Sequence, residues 1–166
     1  MPCPKKPDKS TEILQIHTLK GCIHWYDLTK SSDPDISSQK ARPYMIIGTE
    51  NPNSTRVIIS PVSDRIHYVE NGTDQLKYPY HAPINTQDNG FLEKDSVVLL
   101  DQVYTIKKSD LCEEWYMGKI ADILELDKAI LYNYDLFESV YQIYRELLEQ
   151  LGQGAKRQHI SKYSRK

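Results

Sequence analysis

Gly90-Phe91-Leu92-Glu93-Lys94-Asp95-Ser96-Val97-Val98-Leu99-Leu100-Asp101-Gln102-Val103-Tyr104-Thr105-Ile106 is the stretch that decides the fold. Ser96 to Ile106 is the longest apolar run of the chain and is rich in β-branched residues, so it reads as a central, buried strand. Asp101 stands at the polar end of the four apolar residues Val97 to Leu100. Partial burial there raises a carboxyl pKa toward that of a general base, although an aspartate closing a buried strand has the same pattern.

Working outward toward the N-terminus, Tyr78 to Ile84 is a further strand, which Pro79 and Pro83 confine to a sheet edge or break. Asn71-Gly72 marks a turn before it. Arg56 to Val62 and Pro43 to Gly48 are two short apolar strands joined through Asn51-Pro52-Asn53, and Cys22 to Leu28 is an aromatic, β-branched first strand. Thr29 to Lys40 is a Ser/Asp/Pro-rich exposed loop with one apolar residue, Ile36.

In the C-terminal direction the period changes. Ile120, Ile123, Ile130, Tyr134, Phe137, Tyr141, Tyr144, Leu148 and Leu151 recur at three- and four-residue steps, which is helical spacing. Asp122 with Glu125, and Asp135 with Glu138, resemble capping pairs and leave one helix or two open. The tyrosine stripe reads as a packing face. Short strands followed by a helix give a mainly β fold, a small, strongly curved barrel with a helix on or beside it.

The 166 residues suit one domain with terminal extensions: residues 1–19 as a Pro/Lys-rich flexible leader, 20–151 as the domain, and 152–166 as a flexible basic tail. No apolar run is long enough to span a membrane, and the leader lacks the apolar core of a signal peptide. A cytoplasmic chain with three reduced thiols, Cys3, Cys22 and Cys112, is the reading. The net charge of -2 argues against nucleic-acid binding by bulk electrostatics. Ten acids against three Lys/Arg lie between Asp110 and Leu151, whereas Lys20 to Tyr80 is balanced. RNA, if bound, therefore meets the N-terminal two thirds. The five histidines show no ligand spacing with one another or with cysteine, so no metal site and no cofactor is expected.

Four stretches carry a family resemblance. Lys20-Gly21-Cys22-Ile23-His24-Trp25-Tyr26-Asp27-Leu28 resembles the opening strand of MazF/PemK toxins. Ala41-Arg42-Pro43-Tyr44-Met45-Ile46-Ile47 and Ile58-Ile59-Ser60-Pro61-Val62-Ser63 resemble the two strands that follow it, and Gly90 to Ile106 is the most specific match. The resemblance implies an SH3-like barrel, a homodimer, a partner antitoxin that wraps a large surface with a disordered segment, and metal-free cutting of single-stranded RNA. It also implies catalytic roles for Arg42, Ser63 and Asp101 and RNA contacts at Lys40, His81 and Gln102.

The chemistry fits those residue types. RNA is cut most simply by its own 2′-hydroxyl attacking the adjacent phosphate, so the protein must hold the strand and stabilise charge on the phosphoryl oxygens. A guanidinium offers phosphate a planar fork of donors and stays charged at any working pH. Pro43 pushes Arg42 into extended geometry, which restricts where its side chain points. Ser63 offers a hydroxyl to the phosphate or the 2′-hydroxyl. The chain departs from the family pattern where Ser37 to Lys40 replace a glutamate and paired glycines, and where Tyr104 replaces a common arginine. A non-catalytic RNA- or protein-binding barrel fits those losses. A topoisomerase poison of the same fold needs no catalytic arginine, so Arg42 and Ser63 count against it.

Overall fold

A computed structural model describes residues 16–28, 41–48, 51 and 53–163, with side chains from His17 to Gly152. The leader before residue 16, the first loop with Lys40, and the side chains of the basic tail lie outside the described residues.

Seven strands are described: β1 (Cys22–Tyr26), β2 (Arg42–Gly48), β3 (Arg56–Asp64), β4 (His81–Ile84), β5 (Ser96–Leu99), β6 (Tyr104–Lys107) and β7 (Tyr116–Lys119). All pairings are antiparallel, in the order β4-β5-β3-β2-β1-β7, with β6 also on β3, giving a strongly bent half-barrel. β2 and β3 are the centre. β2 is buried on both faces: Tyr44 and Ile46 join one apolar cluster with Val57, Ile59 and Ile106, while Met45 and Ile47 join another with Ile23, Val62, Val98 and Leu100. Alternation along an extended strand sends neighbours to opposite faces, so this one strand organises both halves of the core. The proline-bearing β4 takes the edge, as a strand that cannot complete a ladder on both sides must.

The run from Ser96 to Ile106 is two strands and not the single central one the sequence suggests. β3 pairs with β6 as far as Ile59↔Tyr104 and with β5 from Val62↔Val98. Only Ser60 and Pro61 lie between those pairs on β3, whereas Leu99 to Val103 lie between them on the other side. Pro61 has no N–H to give to a ladder, so the partner strand leaves the sheet beside it. Leu100 turns into the core, 1% exposed, and the Gln102 N–H bonds back to the Leu99 carbonyl at 3.0 Å. The excursion carries Asp101 and Gln102 out of the sheet.

Ile16–Thr18 forms a 3-10 turn whose His17 carbonyl bonds His24 Nε2 at 2.5 Å. Asn71-Gly72 is the turn its sequence suggests, with Gly72 at φ 79°. β7, which the sequence reading lacks, closes on β1 through Ile23↔Gly118. The Phe91 ring lies on Gly118 so closely that a Cβ there would come within 2.5 Å of it. Cys22 is a free, buried thiol; Cys3 lies outside the described residues.

This compact unit ends at Ile130, and Leu131–Lys166 form a second. The helical region is two helices, α1 (Leu124–Asn133) and α2 (Phe137–Tyr163). Asp122 caps α1, its carboxylate accepting the Leu124 N–H at 2.8 Å. Asp135 does not start α2. It sits at φ 53° and ends α1, with the Leu136 N–H on the Leu131 carbonyl and its own N–H on that of Tyr132, the pattern of a Schellman cap. α2 runs through Gly152, where the sequence reading begins a tail, to Tyr163. Among the described residues no helix is long and apolar enough to cross a membrane.

Candidate active site

The excursion between β5 and β6 meets the start of β2. Arg42 Nη2 donates to Gln102 Oε1 at 3.2 Å, its Nε lies 3.5 Å from the Tyr44 hydroxyl, and its guanidinium stands 5.6 Å from the centre of the Tyr44 ring. Tyr44 is two residues along the same strand, hence on the same side. Burial raises the Tyr44 hydroxyl above the usual range, with the bond from Arg42 opposing, which keeps it protonated. Tyr104 packs its ring edge-on against Tyr44 at 6.2 Å, as does Tyr26 at 6.2 Å. These two contacts hold the Tyr44 ring beneath Arg42.

Gln102 is itself held. The hydroxyl of Ser60, fully buried on β3, donates to the Gln102 carbonyl at 3.0 Å. Ser60 therefore takes a backbone group that the broken ladder leaves without a strand partner.

Asp101 points the other way along the excursion. Its carboxylate is 3.2 Å from His81 Nε2 and its side chain is 45% exposed. An ionised carboxylate only accepts, so Nε2 carries the proton of this bond. The His81 side chain is 2% exposed and edge-to-face with Tyr68, Tyr78 and Tyr80, and its buried Nδ1 has no hydrogen-bond partner. Ser63 lies two residues beyond Pro61 on β3, and Arg42 two before its partner Tyr44 on β2, so both are at one end of the hairpin. Ser63 pairs with Val97 of β5.

The fold thus joins Arg42 to Gln102 directly, and Asp101 to His81 directly, with Gln102 and Asp101 adjacent in the chain. Ser63 reaches the same end without a bond to Arg42 among the described residues, and Lys40 is outside them. Sequence reading missed Tyr44, Ser60 and the tyrosines around His81. Tyr44 was accessible from the two-residue step after Arg42; Ser60 had no signal, because its role follows from where the partner strand breaks. Among the described residues no three of His, Cys, Asp and Glu are grouped to hold a metal ion.

A family model for the PemK-like, MazF-like toxin of type II toxin-antitoxin systems matches residues 20–132. The chain is similar to Endoribonuclease MazF of Staphylococcus epidermidis, 33% identical over 91 residues, covering 54% of this chain and 69% of that protein. It is similar to Endoribonuclease EndoA of Bacillus subtilis (strain 168), 27% identical over 122 residues, covering 68% and 95%. In fold it resembles an endoribonuclease solved in complex with its cognate antitoxin from a mycobacterial species, with a TM-score of 0.51, 19% identity, and coverage of 71% of this chain and 95% of that one.

Proposed function

The chain belongs to the family of PemK-like, MazF-like toxins of type II toxin-antitoxin systems, and on that premise we propose that its cutting centre is the end of the β2–β3 hairpin where Arg42 meets Gln102. It is an endoribonuclease toxin, and its substrate is single-stranded RNA. The observation that carries the assignment of the centre is the Arg42 guanidinium, held by Gln102 and by the face of Tyr44. A donor fork fixed before substrate arrives stabilises charge without reorganising during the reaction.

In the proposed reaction the 2′-hydroxyl attacks the neighbouring phosphorus as its proton passes to the Asp101 carboxylate. Asp101 is kept in place by His81. Negative charge builds on the phosphoryl oxygens against Arg42, with the Ser63 hydroxyl as a further donor, and the P–O5′ bond breaks. The products are a 2′,3′-cyclic phosphate and a 5′-hydroxyl, the latter taking up a proton from solvent. Arginine stays protonated throughout, so its role is electrostatic.

Two partners complete the reading. One is a cognate antitoxin, as in the mycobacterial complex. The other is a second copy of the chain: Val140, Tyr144, Leu147 and Leu151 are exposed on α2 at three- and four-residue steps, an apolar stripe that a lone soluble chain seldom leaves to water. The toxin acts in the cytoplasm, where its messenger RNA substrate is.

Purified protein incubated with single-stranded RNA in excess chelator tests the mechanism. Cleavage that persists and leaves cyclic-phosphate ends supports it. Activity that disappears with chelator and returns with magnesium refutes it.

A further inference from the structure

Tyr78-Pro79-Tyr80-His81 is a closed turn, with the His81 N–H on the Tyr78 carbonyl at 3.2 Å and proline at the second position, where its fixed φ favours turning. The turn brings Tyr78 and Tyr80 face to face, ring centres 5.2 Å apart and planes within 20°. Both rings stand edge-to-face with the buried His81 imidazole, at 5.4 and 4.8 Å. Tyr78 is nevertheless 43% exposed. Two aromatic rings are therefore held rigid by each other, by proline and by a histidine beneath them, while one leaves much of its surface to water. Packing of the core does not require this, since β4 begins only at His81.

The turn is tied to the cutting centre. His81 bonds Asp101, Gln102 is the next residue, and Gln102 holds Arg42. Lys77, exposed, precedes Tyr78 in the chain. An exposed aromatic side chain preceded by a lysine and linked through His81, Asp101 and Gln102 to the Arg42 guanidinium matches how proteins grip single-stranded nucleic acid, because every base has a face to stack and the backbone is anionic. The three contacts that fix the rings also remove most of the ordering cost that a mobile aromatic side chain pays on binding.

We infer that the Tyr78–Tyr80 pair is a stacking platform for a base of the RNA strand flanking the cleaved phosphate, with His81 as the positioning residue that holds both the platform and Asp101. The inference rests on the endoribonuclease reading above. It makes one nucleotide next to the cut important for affinity whatever its base, as long as it has one.

The test is binding of a short mixed-sequence RNA with 2′-methoxy groups, which cannot be cut, to wild-type protein and to Tyr78→Leu/Tyr80→Leu. Leucine keeps apolar volume over His81 but has no flat face. The double variant is expected to bind about tenfold more weakly, the order found for loss of one stacked base. Tyr78→Phe/Tyr80→Phe is expected to bind within about twofold of wild type, because stacking needs the ring and not the hydroxyl. On the RNA side, an abasic nucleotide placed in turn along the strand should weaken wild-type binding at one position and have no added effect in the leucine variant. Equal affinity of wild type and the leucine variant overturns the platform, as does additive loss from the abasic site, or loss confined to antitoxin binding. Wild-type protein that neither binds nor cuts RNA overturns the endoribonuclease reading instead, so the two failures are distinct.

Discussion

Replacing Arg42 by lysine isolates what the guanidinium fork contributes. Arg42 reaches Gln102 at 3.2 Å and lies over Tyr44 at 5.6 Å, so its plane is set by two contacts on different elements. A lysine ammonium keeps the charge but is a point on a flexible stem and presents no planar fork to phosphate. Loss of one preorganised donor costs about 3 to 4 kcal/mol of transition-state stabilisation, a rate fall of roughly a hundred- to a thousandfold. The structural contacts are worth less. One side-chain hydrogen bond and one half-exposed cation–π contact together contribute about 1 to 2 kcal/mol, which lowers the melting temperature by only a few degrees in a chain of this size. At 25 °C both forms stay folded, and the rate difference reads chemistry. Initial rates on a fluorogenic single-stranded RNA, with circular dichroism on the same samples, make the comparison; Arg42→Ala, which removes the charge as well, is expected to be slower still. Arg42→Lys cutting within about threefold of wild type would refute the assignment of this guanidinium to the phosphate. So would a rate loss matched by an equal loss of folded protein.

Gly118→Ala is expected to lower stability by about 1 to 3 kcal/mol in urea denaturation, because its Cβ would meet the Phe91 ring at 2.5 Å and the ring is packed against the core. Unchanged stability would mean that Phe91 moves aside freely. Burial, opposed by the bond to the His17 carbonyl, holds the pKa of His24 below the ordinary value of 6.5. As pH falls through 6.5 the unfolded chain takes up this proton first, so stability declines until the lower folded pKa is passed. The pH profile of His24→Gln should lack that limb. Asp64 and Asp95, held below 3.8 by the N–H groups of Ile66 and Thr86, contribute stability above that pH which is lost in stronger acid, apart from the His24 window. Light scattering at micromolar concentration is expected to give a dimer, and Tyr144→Glu with Leu147→Glu on the exposed α2 stripe to give monomers; a monomeric wild type would remove the homodimer.

The first three strands were legible to within about two residues because each is a short β-branched or aromatic run bounded by turn chemistry, and that signal is local. The break at Leu100 to Val103 was not legible, since Val103, Tyr104 and Ile106 continue the apolar run and its cause, Pro61, is on another strand. β7 escaped for a related reason: Tyr116-Met117-Gly118-Lys119 has no apolar run, and it is a strand only because β1 offers it an edge and Phe91 fits Gly118. Asp135 has the composition of a helix start, but closing α1 with a left-handed residue used it first. At the site, Arg42, Asp101, Gln102 and His81 came from the resemblance. Tyr44 follows from the two-residue step after Arg42, whereas Ser60 depends on register and had no signal in the sequence.

The split partner of β3 has a consequence for how the chain is born. β2 and β3 form a hairpin of neighbours in sequence, so Arg42 and Ser63 can be aligned early as the polypeptide leaves the ribosome. Gln102 and Asp101 cannot join them until β5 and β6 have both docked on β3, and β1 waits longer still for β7. A nascent chain whose emerged length stops short of Lys107 therefore carries the arginine beside Tyr44 but without a docked Gln102.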